Sequence, residues 1–119
     1  MPWIIRNEQM KAFGRAMEQR FAERMLRRLR RNYSSRIAQL SDEEVRGLIR
    51  QAIETSRKYG MVTETEVARY LNYVISYGAE FDRTEDWAAA ILNTAGLTGR
   101  QKLDRIDEYD LFHGRGGLR

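Results

Sequence analysis

Residues 58–82, KYGMVTETEVARYLNYVISYGAEFD, have the marks of a helix with a defined start and a defined end. Thr63 is a good N-cap residue, and Glu66 three residues later can complete a capping box. Gly60 and Gly78 are placed to end the preceding helix and this one, because glycine tolerates the left-handed backbone of a helix C-terminus. The sequence therefore predicts a helix between Thr63 and Gly78.

The side chains of this helix are apolar around most of its circumference. At 100° per residue, an aliphatic stripe and a tyrosine stripe lie side by side and leave only a narrow polar strip. The aliphatic stripe contains Val67, Leu71, Val74 and Ile75, the tyrosine stripe contains Tyr70, Tyr73 and Tyr77, and the polar strip contains Arg69, Asn72 and Ser76. A helix of this kind is usually covered on more than one side. We predict that it is the central helix of the fold, and that the tyrosine stripe borders a partner-binding surface because buried hydroxyls need hydrogen-bond partners.

The composition is that of a soluble globular chain of one domain. The chain has 119 residues, of which 32% are charged and 42% hydrophobic. It has no cysteine, which excludes disulfides and thiolate metal sites. No run of about 18 apolar residues occurs, and the start MPWIIRNEQ lacks the basic-then-apolar layout of a signal peptide. We therefore expect a cytoplasmic protein without a membrane-spanning segment.

Helix signals recur along the rest of the chain, and no run alternates as a strand would. We expect a first helix from about Asn7 to Arg31, a second opened by a capping box, a short fourth and a fifth. The second helix is opened by Ser41 with Glu44, and the fifth by Thr98 with Gln101. Asp82 or Thr84 can cap the fourth helix, whose predicted core face is Trp87, Ala90 and Ile91. In the fifth helix we expect Leu103, Ile106 and Leu111 to face inward. The sequence thus predicts an all-α, single-domain bundle of about five helices with a long N-terminal helix. We expect the domain to cover residues 1–112 and a flexible tail to cover residues 113–119.

The positive charge of the chain is concentrated in one segment. Residues 20–36 contain seven arginines against a single acidic residue, Glu23, whereas residues 37–119 contain eleven basic and fourteen acidic residues. Five of the arginines share one face of the first helix: Arg20, Arg24, Arg27, Arg28 and Arg31. This stripe could be a solvated face, could bind an acidic protein, or could bind nucleic acid, since arginine pairs with carboxylate and phosphate alike. We select Arg24, Arg28 and Arg31 as partner-binding residues.

The apolar residues of the first helix form two sets that point in different directions. Phe21, Met25 and Leu29 face about a third of a turn away from an earlier set. The earlier set contains Met10, Phe13 and Met17, and Trp3, Ile4 and Ile5 extend it toward the N-terminus. Either the helix bends near Gly14 and both sets pack internally, or the earlier set docks on another chain. We include Trp3, Ile4, Met10, Phe13 and Met17 among the partner-binding residues because methionine and aromatic side chains are favoured at such contacts.

Residues suited to catalysis or metal binding are sparse. His113 is the only histidine and lies in the predicted tail. The GRGG at 114–117 lacks the strand and helix that would make it a phosphate loop. Asp107 and Asp110 are spaced as a carboxylate pair, but acid–base work would require at least one of them to be buried. We therefore expect neither enzyme activity nor a metal or cofactor.

Several runs of this sequence resemble a family of small bacterial helical proteins. The runs are FAERMLRRLRRNY, LSDEEVRGLIRQAIETSRKYGMVTETEVARYLNYVISYGAEFD, WAAAILNT and KLDRIDEY, and together they span roughly residues 20 to 110. The genes of that family often lie beside PAAR, VgrG or toxin genes of type VI secretion systems. The resemblance implies an accessory role as adaptor, chaperone or co-chaperone for a secretion effector, with no catalytic residues. The implied partners are an effector, a PAAR/VgrG-type component or a chaperone, and self-association is a further possibility.

Two other functions remain open from the sequence. One is a nucleic-acid-binding regulator that uses the arginine stripe, and the other is an immunity protein that blocks a toxin. A helix-turn-helix in residues 41–77 would need a basic, exposed start to its second helix. That helix begins Thr-Glu-Thr-Glu, which repels phosphate, so nucleic acid is the less favoured partner.

Deletion of residues 1–18 tests the role of the N-terminal apolar set. The side chains of this segment, exposed together, would exceed the few hundred Å² of apolar patch that a soluble monomer usually tolerates. We expect the truncated protein to stay folded by circular dichroism and to lose its partner or its self-association. Unfolding of the truncated protein would show that the segment belongs to the core.

Overall fold

The computed structural model describes residues 14–113, with side chains from residue 16 onward, as a bundle of α-helices. The helices are α1 (Gly14–Asn32), α2 (Asp42–Lys58), α3 (Glu64–Tyr77), α4 (Phe81–Thr84), α5 (Asp86–Leu92) and α6 (Gly99–His113). No strand occurs in this part of the chain. The predicted all-α, single-domain fold with a long N-terminal helix is confirmed, and the single turn α4 is an addition to the five expected helices.

The predicted capping boxes form and fix the starts of three helices. At α2, the Ser41 hydroxyl accepts from the Glu44 amide at 3.1 Å, and the Glu44 carboxylate accepts from the Ser41 amide at 2.8 Å. The same reciprocal bonds open α3 and α6, and they join Thr63 to Glu66 and Thr98 to Gln101. Each box satisfies backbone donors that have no partner within the helix.

The central position of α3 is also confirmed. It packs against α2 on one side and against α6 and α4 on others, while α1 covers α2. Seven of its 14 residues are buried: Val67, Ala68, Tyr70, Leu71, Tyr73, Val74 and Ser76. The described chain forms a flattened body of 38 × 38 × 20 Å with α3 inside it. Ser76, which the sequence placed on a polar strip, is enclosed because the helix is covered from several directions.

The connection between α1 and α2 is held by a single arginine of α1. The Arg30 guanidinium donates to the carbonyl oxygens of Ile37 and Leu40, both at 2.8 Å, and to the Asp42 carboxylate at 2.8 and 3.2 Å. Ile37 is buried in the core. Arg30 is therefore a structural residue, in contrast to the arginines on the outer face of the same helix.

The turn after α2 approaches the start of α6 closely through backbone atoms. Gly60 adopts a positive φ of 86°, as expected of a glycine that ends a helix. A Cβ built on Gly99 would lie 2.4 Å from the Gly60 carbonyl oxygen. Only glycine at position 99 allows the two chain segments to approach this closely.

The caps predicted for the fourth helix are wrong, and its predicted core face is confirmed only for Trp87 and Ile91, which pack against the core. Asp82 is buried and accepts a hydrogen bond from Tyr59, and the Thr84 hydroxyl bonds the Glu80 carbonyl, so neither residue caps α5. The N-cap position is occupied by Glu85, which makes no side-chain cap bond.

The buried face of α5 consists of Ala88 and Leu92, whereas Trp87 and Ile91 are half-buried and Ala90 is exposed. The single turn α4 precedes α5 and packs against it, and the sequence analysis did not predict this turn.

The inward orientation predicted for Leu111 is also wrong. Leu103 and Ile106 are buried as expected, but Leu111 is 71% exposed. The buried residue at this end of α6 is Asp110, which bonds Tyr77. Among the described helices, none is both long enough and apolar enough to cross a membrane.

Two glycine-to-alanine substitutions should change stability in opposite directions. A Cβ on Gly47, inside α2, would have no atom within 4 Å, so Gly47→Ala should stabilise the fold by about 0.5–1 kcal/mol through helix propensity. Gly99→Ala should destabilise it by about 1–3 kcal/mol, because the methyl group would meet the Gly60 backbone. Urea unfolding followed by circular dichroism measures both. Equal effects would contradict the close approach of the two turns.

Candidate protein-binding surface

The outer side of α1 carries the arginine stripe that the sequence predicts. The inner side of the helix buries Phe21, Met25 and Leu29 in the core. On the outer side, Arg20, Arg24, Arg27, Arg28 and Arg31 are all exposed, and we call these five residues the arginine face. Helix α1 packs mainly against α2, and the arginine face is on the side of α1 opposite its buried residues.

Most of the arginine face is not neutralised within the described part of the protein. Arg24 makes a bidentate salt bridge to Glu64 of α3, at 3.0 and 3.1 Å. Arg27, Arg28 and Arg31 make no salt bridge to any residue of the described range, and neither does Arg20. Of the predicted binding residues in this stripe, Arg28 and Arg31 are thus available, whereas Arg24 is partly committed to Glu64.

Glu23, the one acidic residue among residues 20–36, is bound by an arginine of α2. Glu23 accepts two hydrogen bonds from Arg46 of α2, at 2.5 and 3.2 Å. The hydrogen bond from Arg46 is the main cause that lowers the pKa of Glu23, so this carboxylate stays charged and bound to α2. Within the arginine face, Glu23 interacts electrostatically with Arg27 but forms no salt bridge with it.

Arginines in other parts of the fold are mostly paired. Salt bridges within the described residues hold Arg30, Arg46, Arg50, Arg57, Arg69 and Arg83. Seven arginines form no salt bridge within the described residues. Five of them lie in α1 and the connection after it, namely Arg20, Arg27, Arg28, Arg31 and Arg36, and Arg100 and Arg105 lie on α6. The uncompensated positive charge is therefore concentrated on α1.

The structure places most of the tyrosine stripe in the core instead of on a partner-binding surface. Tyr70 is 0% exposed and Tyr73 is 8% exposed, while Tyr77 is half-buried. The Tyr73 hydroxyl bonds Asp107 and the Tyr77 hydroxyl bonds Asp110, both on α6. The hydroxyl groups of Tyr73 and Tyr77 thus find partners inside the protein, which periodicity alone could not reveal.

Some acidic residues of α6 bind side chains of α3. Arg69 of α3 donates to Asp104 at 3.0 Å and to Asp107 at 2.5 Å. Burial works to lower the pKa of Arg69, but the hydrogen bonds to the two aspartates outweigh it and leave the pKa raised. Asp110 is only 5% exposed. Asp107 and Asp110 therefore join α6 to α3, and Asp110 does so from a buried position while Asp107 stays half-exposed.

A third tyrosine–aspartate pair joins Tyr59, the C-cap residue of α2, to Asp82 in the turn α4. The Tyr59 hydroxyl donates to the buried Asp82 carboxylate at 2.7 Å. Burial, and then the bond to Asp82, raise the pKa of Tyr59 to about 12. The enclosed Tyr70 hydroxyl has no hydrogen-bond partner in the described part of the protein, and burial raises its pKa as well.

The remaining predicted binding residues lie at or beyond the limit of the described chain. Trp3, Ile4, Met10 and Phe13 lie outside the described residues. Met17 is half-buried on α1, one residue before Glu18, which forms a salt bridge with Arg57 at 2.7 Å. Docking by the N-terminal apolar set thus stays a prediction.

Sequence reasoning missed an apolar surface on α6. Leu111 and Phe112 are each 71% exposed, next to the half-buried Tyr109. Tyr109 stacks on Trp87 at 4.2 Å between ring centroids and on His113 at 4.8 Å, so His113 belongs to the end of the helix. Leu103, Ile106 and Asp110 share one helical face. If Asp110 is taken as buried, this spacing predicts that Leu111 and Phe112 lie outside the core.

No group of three or more histidine, cysteine or carboxylate side chains within the described range is arranged to hold a metal ion. Comparison with protein-family models, curated proteins and solved structures finds no match to this chain. The arginine face is therefore interpreted below from its charge, its exposure and its neighbours.

Removing the hydroxyl group from each of three tyrosines should change the stability of the fold by different amounts. Tyr77→Phe should destabilise the fold by about 1–3 kcal/mol, because it takes a hydrogen-bond donor away from the buried Asp110 carboxylate. Tyr73→Phe should cost less, since Asp107 is half-exposed and keeps Arg69. Tyr70→Phe should be neutral or stabilising, because its hydroxyl is enclosed without a partner in the described chain. Denaturant unfolding of the three variants gives the order, and a large loss with Tyr70→Phe would contradict this assignment.

Proposed function

We propose that this protein is a non-enzymatic protein-binding module that contacts an acidic partner through the arginine face of α1. The supporting observation is the group formed by Arg27, Arg28 and Arg31, which are exposed on one face without a salt bridge in the described chain. Guanidinium groups in this state can form bidentate bonds with carboxylates of another protein.

The arrangement of the helix favours this use of the arginines. The buried side of α1 is fixed by Phe21, Met25 and Leu29, so the outer side is held on a rigid element. Arg30 supports the connection at the end of the helix and keeps the neighbouring positions in place. Because the backbone of α1 is already ordered, binding costs little backbone conformational entropy.

A protein partner agrees better with the fold than nucleic acid does. In a helix-turn-helix made of α2 and α3, the recognition helix α3 would have to enter the major groove. Half of α3 is buried, and its first residues include Glu64, which already binds Arg24. The arginine face could still track a phosphate backbone, and the experiment below distinguishes that outcome.

The type VI secretion context remains part of the proposal and rests on the sequence resemblance described above. Under this proposal the partner is a secretion effector, a PAAR/VgrG-type component or a chaperone, and the module acts as an adaptor or co-chaperone. The arginine face requires an acidic surface on the partner, at the place where the partner contacts α1.

Charge reversal on α1 tests the proposal. The triple variant Arg27→Glu, Arg28→Glu and Arg31→Glu should reduce partner binding by about tenfold or more while leaving the fold intact. The tagged protein is purified from its native host, co-purifying proteins are identified by mass spectrometry, and the affinity of the identified partner is measured with each variant. Binding should weaken as salt rises, since exposed charges are screened within about 10 Å at 0.1 M.

A matched control is available on α6. Arg100 is exposed and forms no salt bridge within the described residues, like Arg28. Arg28→Glu should weaken binding and Arg100→Glu should not. Equal binding by the wild type and the triple variant would refute the role of the arginine face. A shift of duplex DNA or RNA by the wild type at physiological salt, with a steep salt slope, would replace the protein partner by nucleic acid.

A further inference from the structure

The outer face of α6 combines an exposed aromatic residue with two charges that are unpaired within the described chain. Gln101, Arg105, Glu108 and Phe112 recur at intervals of three or four residues and therefore share one side of the helix. All four are exposed, and Phe112 is exposed to 71%. The opposite side of α6 is the one that enters the core. We call these four residues the α6 face.

Two shallow hollows flank the middle of the α6 face. The first, toward the C-terminal end, is bordered by Phe112 together with Ile91, Tyr109 and His113. The second, toward the N-terminal end, is bordered by Leu97, Gln101 and Asp104. Arg105 and Glu108 line both hollows and thus lie between them. The face has an aromatic knob at one end, a hollow with Leu97 at the other, and a charge of each sign in the middle.

The two central charges are available to another molecule. Arg105 and Glu108 are three residues apart on one helix, a spacing that permits a salt bridge. They form none with each other, and neither forms one with any other residue of the described range. Their substitution therefore removes no ion pair within the described chain.

We propose that the α6 face binds a second copy of this chain, with the two α6 helices antiparallel about a two-fold axis between Arg105 and Glu108. In this register, Arg105 of each copy faces Glu108 of the other. Residues equally distant from the axis then meet, so Phe112 of one copy faces Gln101 of the other and covers the hollow beside Leu97.

A second copy fits this face because the face is complementary to itself. An isologous interface requires that each feature and its complement occur on the same surface. The α6 face meets this requirement twice, once through the positive and negative charges and once through the aromatic knob and the hollow. A contact made mainly by one helix from each copy is small, so the dimer should be weak and dependent on concentration.

Analytical ultracentrifugation of the full chain, with charge-reversal variants, tests the interface. The wild type should shift from monomer to dimer between about 1 µM and about 500 µM, the range expected of a small interface. Arg105→Glu places two glutamates opposite each other at both symmetric positions, and Glu108→Arg places two arginines there. Each single variant should weaken self-association by about tenfold.

The decisive sample is an equimolar mixture of the two single variants. In a mixed dimer, each glutamate of the Arg105→Glu copy faces an arginine of the Glu108→Arg copy, so the mixture should associate more tightly than either variant alone. The double variant Arg105→Glu/Glu108→Arg restores both pairs within one chain and should dimerise like the wild type. Phe112→Ala should also weaken the dimer, by about tenfold or more, while circular dichroism shows an unchanged fold.

Three results would overturn the inference. A wild type that stays monomeric over the whole range excludes the dimer. Single variants that dimerise like the wild type place the contact elsewhere, for example in the N-terminal apolar set. A mixture that associates no better than its components excludes the antiparallel register. The inference does not involve the arginine face, so its failure would leave the proposed function standing, and the reverse also holds.

Discussion

The fold depends on enclosing the tyrosines of α3 around a single phenylalanine. The Phe81 ring is fully buried, with ring centroids 5.2 Å from Tyr70, 6.2 Å from Tyr73 and 6.2 Å from Tyr77. Rings in this position bury large apolar surfaces, but the hydroxyl groups that they carry must then find acceptors. The elements that cover α3 therefore have to supply carboxylates as well as apolar side chains.

Helix α6 supplies those carboxylates, and this requirement determines which of its sides faces the core. Asp107 and Asp110 bond Tyr73 and Tyr77, and Arg69 holds Asp107 from the same side. With Asp110 turned inward, Leu111 and Phe112 are turned outward. A polar pairing in the interior thus produces an apolar surface on the exterior. Phe112 is the part of this surface that belongs to the α6 face, so the interface that we propose depends in part on how the polar groups of the core are paired.

Helix α1 shows the opposite relation between interior and surface. Its core side is purely apolar in Phe21, Met25 and Leu29, so nothing in the core needs its charged residues. Of the arginines on its outer side, only Arg24 is used within the described fold, by Glu64. Surface ion pairs contribute little to stability. The fold therefore does not need the arginines of this helix that have no salt bridge in the described range. Contact with another molecule is the role that we propose for them.

The sequence by itself determined the helical class, the capped starts of α2, α3 and α6, and the burial of Leu71 and Val74, because capping and periodicity are local properties of the chain. It also determined that the charge of α1 lies on one face. Only the tertiary structure decided that Tyr70 and Tyr73 are core residues, that Asp110 is buried and that Leu111 and Phe112 are exposed. Each of these outcomes depends on pairs far apart in the chain, such as Tyr77 with Asp110, and periodicity within one helix carries no information about the partner that will cover it.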